Sequence, residues 1–158
     1  MIIFLSGSIN SGKSTVSKLL VQKLPSATVI DVDDLDKDIR HIPIDDRIMI
    51  RIERAIVVIR EAVGKFENII VTNILRQDHF ELMKRELTAT GHEFVGITLD
   101  PGLEGALTNR GTREITDWER ERIKYHYRIG IHKPGYGFVV DSSNQTPAET
   151  VAEILAKL

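Results

Sequence analysis

The sequence predicts an α/β fold, with a parallel sheet covered by helices on both faces. Three observations carry that expectation. Five short runs are almost wholly apolar rather than alternating, as strands are when both faces are buried: Ile2–Ser6, Ala27–Val32, Asn68–Thr72, Phe94–Leu99 and Phe138–Asp141. Stretches of helical spacing separate these runs, which implies right-handed crossovers between parallel strands. A Gly-x-x-x-x-Gly-Lys-Ser pattern, Gly7 to Ser14, joins the first run to the first helical stretch, the setting in which that pattern holds phosphate.

The bulk numbers set bounds. A chain of 158 residues suffices for one domain with one core, so 1–158 is expected to be a single domain. At 42% hydrophobic and 28% charged residues it reads as an ordinary globular protein. A net charge of -2 gives no global basic field for nucleic acid or anionic membrane. The chain has no cysteine, which excludes a disulfide framework, a zinc–thiolate site and thiol catalysis. The apolar run after Met1 is too short for a signal segment or a membrane span, so the expected location is the cytoplasm and the expected state a monomer or weak dimer.

Along the chain, the glycines of the first loop let successive backbone N–H groups converge on phosphate oxygens. Gly7, Ser8, Asn10, Ser11, Gly12, Lys13, Ser14 and Thr15 are the candidate nucleotide-binding residues. The helix expected over Lys13–Leu24 adds the positive end of its dipole. Lys13 would reach the outer phosphates, and the Ser14 hydroxyl would ligate Mg²⁺.

The second strand runs into Asp31-Val32-Asp33-Asp34-Leu35-Asp36. Four carboxylates so close repel one another, a poor choice for stability alone. Alternation points Asp31 and Asp33 to one side of the strand end, where one could hold the metal and the other accept a proton. Asp34 and Asp36 read as solvated acids at a helix N-terminus. The next helix, Asp45–Val63, buries Ile48, Ile52, Ala55, Ile59 and Val63. Arg47, Arg51 and Arg54 share a sector beside that stripe and would suit an anionic acceptor.

The third strand ends at Thr72-Asn73, where Asn73 either meets substrate or caps the helix expected over Gln77–Thr90. Beyond the fourth strand, a helical stretch at Pro101–Asn109 leads to Arg110-Gly111-Thr112-Arg113. Two arginines beside a glycine suit a mobile segment that stabilises phosphoryl charge on closure. On the helix at Thr116–Ile129, Trp118, Arg122, Tyr125 and Ile129 fall on one narrow face. Arg122 there either meets an anion or a core carboxylate. None of the five histidines has metal-ligand spacing. The last helix, Pro147–Leu158, starts with Thr146 as N-cap before a proline at its first position.

A phosphate loop followed, about twenty residues after its lysine, by Asp31-x-Asp33 resembles the P-loop small-molecule kinases, such as shikimate kinase, gluconate kinase and chloramphenicol phosphotransferase. The resemblance covers essentially the whole chain. It implies a three-layer P-loop NTPase fold of the nucleoside monophosphate kinase type, with five parallel strands in the order 2-3-1-4-5. It also implies a substrate cover at about 37–63 and a short lid at about 109–117. ATP and Mg²⁺ would be the cofactors, with transfer of the γ-phosphoryl group to a small-molecule hydroxyl. By the same resemblance Asp33 orients or deprotonates the acceptor, Asp31 is the metal-side acid, and Arg122 bridges acceptor and phosphate. Arg110 packs on adenine, and it and Arg113 join Lys13 in stabilising the transferred group. The strand–loop at Val139–Pro147 resembles the fifth strand and adenine loop of that family. Asn73 departs from it, standing where the Walker B strand usually ends in Asp, and the glycine pair of shikimate kinases is missing. That counts against shikimate and moves the metal duty to Ser14, Asp31 and water. Two other functions fit the residues: a nucleotide or nucleoside kinase, and a nucleotide-binding switch without catalysis.

Overall fold

The computed structural model describes residues 1–109 and 114–158. Strands β1 (Ile2–Ser6), β2 (Ala27–Asp31), β3 (Asn68–Thr72), β4 (Phe94–Asp100) and β5 (Phe138–Asp141) form one parallel sheet in the order β2-β3-β1-β4-β5. This is the order the kinase resemblance implies. The central strand β1 pairs with β3 and β4 at once, so Leu5 stands beside both Thr72 and Ile97. The phosphate loop therefore leaves the sheet at its middle, at the carboxyl ends of the strands, where α/β sheets place ligands.

Helices cover both faces, and strand alternation decides which residues meet which helix. Ile2 and Phe4 of β1, with Ile69 and Val71 of β3, pack against α2 (Ile44–Ala62) and α3 (Gln77–Leu87) through Ile52, Ala55, Ile59, Phe80 and Met83. Ile3, Leu5 and Ile70 face the other way, onto Val16 and Leu20 of α1 (Lys13–Lys23) and Val151 and Ile154 of α6 (Pro147–Lys157). All these side chains are buried. A smaller cluster, Ala106, Ile115 and Ile123, ties α4 (Gly102–Leu107) to α5 (Asp117–Arg128) beside the phosphate loop.

Both α5 and α6 begin with a capping box, Thr116 with Glu119 and Thr146 with Glu149, so their starts are fixed by side chains. The β4–β5 pair depends on two glycines. A Cβ on Gly96 would stand 2.6 Å from the Tyr136 ring, and one on Gly137, at φ +62, would stand 1.9 Å from the Gly96 carbonyl oxygen. The space left open lets the Tyr136 ring stack on Phe80 with centroids 4.1 Å apart, while its hydroxyl donates to the Leu75 carbonyl at 2.8 Å. Burial of the ring raises the tyrosine pKa.

Some boundaries differ from expectation. β2 stops at Asp31, because the Asp31 carboxylate accepts from the Asp33 N–H at 3.1 Å and turns the chain into a 3₁₀ turn over Val32–Asp34. α3 stops at Leu87 and passes into a 3₁₀ turn closed by Gly91 at φ +72. α4 is shorter than its expected stretch. Among the described residues, no helix is long and apolar enough to cross a membrane.

Candidate active site

The phosphate loop is held in shape by its own side chains and by the elements around it. Gly7 has φ +140, and a Cβ there would meet the Leu99 carbonyl oxygen and Ser11 Oγ, each at 2.6 Å. Gly12, at φ +94, caps α1 in the left-handed region. Asn10 takes that region without being glycine, at φ 59. Its amide donates to the carbonyls of Ala106 and Thr108 at 3.0 and 2.9 Å, which ties the loop to the end of α4. The Asn10 side chain is thus engaged in holding the loop. Lys13 Nζ donates to the carbonyls of Gly7 and Ser8 at 2.9 and 2.8 Å.

Beneath the loop, Ser8 Oγ lies 3.1 Å from His126 Nδ1 of α5, and both residues are buried. Burial, with Arg122 and Lys13 nearby, pushes the His126 pKa down to about 4, so the imidazole is neutral at pH 7. Sequence reasoning passed over His126. It lies four residues after Arg122 and so on nearly the same helix face, and that spacing was the available signal.

One cavity of about 1020 Å³ joins the predicted residues. Its lining includes Ser11 to Thr15 of the loop that follows the central strand, together with Asp31, Asp33, Arg47, Arg51, Asn73 and Arg122. Ser142, Gln145 and Pro147, the stretch after edge strand β5 that resembles an adenine loop, line it as well. Pockets for small ligands measure roughly 300–1,000 Å³, and this cavity stands at the top of that range. Gly7 and Ser8 lie outside its lining and shape it from below.

The acidic run is not the solvated helix start expected of it. Asp36 is buried, and its carboxylate faces Arg47 at 3.2 Å, Arg51 at 3.5 Å and Arg40 at 3.6 Å. Asp34 does stay at the surface, paired with Lys37. Arg51, with a side chain only 12% exposed, also meets Asp33 at 3.0 Å and donates to Asn73 Oδ1 at 3.3 Å. Asn73 Oδ1 accepts from the Ile74 N–H at 2.8 Å as well, so it fixes both the local turn and the arginine. Asp36 and Asn73 thus set Arg51 at the cavity wall beside Asp33.

Arg54 is a correction. It forms a two-pronged pair with Asp38 at 2.6 and 2.9 Å and donates to the Leu35 carbonyl, outside the cavity lining. The hydrogen bond lowers the Asp38 pKa and raises that of Arg54. Trp118, Arg122, Tyr125 and Ile129 share one side of α5 and its end, and that side lines the cavity. The buried residues of α5 are Ile123 and His126, and His126 also lines the cavity. Arg122 lies over the Tyr125 ring at 5.0 Å and has Asp45 at 3.5 Å. Arg110 and Arg113, the expected lid arginines, lie outside the described residues.

The donor set fits Mg²⁺. Ser14, Asp31 and Thr72 are oxygen donors in the cavity lining, and Thr72 Oγ1 is buried with no hydrogen-bond partner among the described residues. Among the described residues no three His, Cys, Asp or Glu side chains gather to cage a metal.

No protein-family model and no curated protein matches the chain. Solved structures do. The tunicamycin resistance protein of Deinococcus radiodurans aligns over 99% of this chain and 94% of its own, at TM-score 0.69 and 15% identity. A gluconokinase from Sinorhizobium meliloti aligns over 98% and 89%, at TM-score 0.67 and 19% identity. Shikimate kinase from Aquifex aeolicus aligns over 99% and 95%, at TM-score 0.57 and 23% identity. The chain has the fold of the P-loop small-molecule kinases.

Proposed function

We propose that this chain is an ATP- and Mg²⁺-dependent kinase that transfers the γ-phosphoryl group to a hydroxyl of a small anionic molecule. The observation that carries the reading is one cavity in which the phosphate loop, the Asp31 and Asp33 carboxylates, and Arg51 and Arg122 converge. A protein that only binds nucleotide has no use for a carboxylate and an arginine held together beyond the phosphates.

In this reading the loop N–H groups and Lys13 hold the phosphates, and the cavity arm toward Ser142 and Gln145 takes the base. Ser14 and Asp31, with Thr72 beside them, would hold Mg²⁺, which when bound neutralises charge on the phosphates. Asp33 is paired with Arg51 at 3.0 Å. An anionic group on the acceptor that draws Arg51 to itself frees Asp33 to accept the proton of the acceptor hydroxyl. That oxygen bonds to the γ-phosphorus, the bond to ADP breaks, and Lys13 stabilises the charge on the leaving oxygens. Arg110 and Arg113 are proposed to add to that stabilisation. Catalysis is then positioning and electrostatics.

The test is ADP release measured over a panel of sugar acids, shikimate-like acids, antibiotics and nucleosides. At least one acidic hydroxy compound should stimulate release. Tight ATP binding with no stimulation by any of them would instead favour a nucleotide-binding switch.

A further inference from the structure

Beyond the phosphates, the cavity lining carries two unlike sets of side chains. One is charged and polar: Asp33, Arg47, Arg51 and Asn73, locked in place by Asp36. The other is made of large apolar side chains: Trp118 of α5 and Ile129 at its C-cap, with Ile44 and Ile48 of α2. Trp118 is 59% exposed and Ile129 42% exposed, although both line a cavity. Such faces add nothing to the core while they stay wet, and covering them is favourable in proportion to the apolar area removed from water. Arg122 stands between α5 and α2, its guanidinium lying over the Tyr125 ring at 5.0 Å with Asp45 at 3.5 Å.

The two sets divide the requirements on an acceptor. The arginines ask for an anion. The apolar side chains offer no hydrogen bond beyond the single indole N–H of Trp118, so a polyhydroxylated acid would leave hydroxyl groups unpaired against them. A flat apolar ring would instead stack on the indole and shed water from both surfaces.

We infer that the acceptor is amphipathic: a hydroxylated compound with one anionic group, for Arg51 and Arg122, and an apolar, planar ring that covers Trp118. This rests on the kinase reading of the same cavity and narrows its substrate class away from sugar acids.

The experiment reads binding rather than turnover. Trp118 is the chain's only tryptophan, so its emission reports directly on anything that covers it. The wild-type protein is titrated, with and without Mg–ADP, with gluconate, lactate and phenyllactate. The last two differ by one phenyl ring. Phenyllactate should bind at least about tenfold more tightly than either of the others, and only it should shift the tryptophan emission. Calorimetric titration of Trp118→Ala should show that preference lost and ATP binding unchanged, while Trp118→Phe should retain most of it. Because Trp118 is exposed, neither variant should melt earlier than wild type. Equal binding of the three acids, no binding by any, or an undiminished preference in Trp118→Ala would overturn the inference. A clear ring preference combined with no ADP release from any acceptor would leave the inference standing and count against the kinase reading.

Discussion

Replacing Asp36 with alanine should destabilise the protein strongly. Its carboxylate is buried between Arg47 at 3.2 Å and Arg51 at 3.5 Å, whose side chains are only 15% and 12% exposed. Removing one member of a buried ion pair costs about 3–5 kcal/mol, because a charge stays behind without compensation. Two features place Asp36→Ala near the lower end. Arg51 keeps Asp33 at 3.0 Å, and Arg47 lines the cavity, where water can reach it. A loss of about 3 kcal/mol corresponds to about 6–12 °C in melting temperature for a chain of this size. Urea unfolding followed by circular dichroism at pH 7 measures the first figure, and a thermal melt the second. The double variant Asp36→Ala, Arg47→Met should recover much of the loss, since it removes the stranded charge together with its partner. If Asp36→Ala unfolds within about 0.5 kcal/mol of wild type, or if the two substitutions simply add, the reasoning fails.

The neutral, buried His126 predicts an acid limb to stability. Its folded pKa of about 4 lies below the ordinary 6.5, so the unfolded chain binds the extra proton first. Stability from this group is fully present above about pH 6.5 and is lost as pH falls toward about 4. The loss should be about 2 kcal/mol between about pH 7.5 and pH 5, measured by urea titration at each pH. His126→Asn should lack that slope, and equal slopes in both proteins would contradict the assignment. The two helical arginines separate positioning from charge. Arg51→Ala should raise the KM for an anionic acceptor roughly 10- to 100-fold, as for a lost charge-assisted hydrogen bond. Arg54→Ala should leave that KM unchanged, and steady-state kinetics with one acceptor checks both.

Much of this architecture was legible because the strands are buried on both faces and so read as plain apolar runs. Ile2–Ser6, Asn68–Thr72 and Phe138–Asp141 fall where the sequence places them. The phosphate loop was legible because its glycines are required by backbone geometry, positive φ at Gly7 and Gly12. Asp36 was not, since its burial comes from arginines eleven and fifteen residues further on, brought over it by the 3₁₀ turns before α2. Helical spacing grouped Arg47, Arg51 and Arg54, but it could not tell that Asp38 would turn Arg54 away from the cavity. On α5, periodicity revealed an apolar face without saying whether a core or a cavity stood opposite. The Thr116–Glu119 capping signature, visible in the sequence, would have placed the start of that helix at Asp117.

The central claim is phosphoryl transfer from ATP to an acceptor through Asp33. The most direct test follows labelled γ-phosphate from ATP onto an acceptor that stimulates ADP release, in wild type and in Asp33→Asn, with ATP affinity measured in both. The account predicts label on the acceptor hydroxyl in wild type, and near-complete loss of transfer in Asp33→Asn at unchanged ATP affinity. Transfer at a near wild-type rate in Asp33→Asn, or label found only in inorganic phosphate, would contradict it.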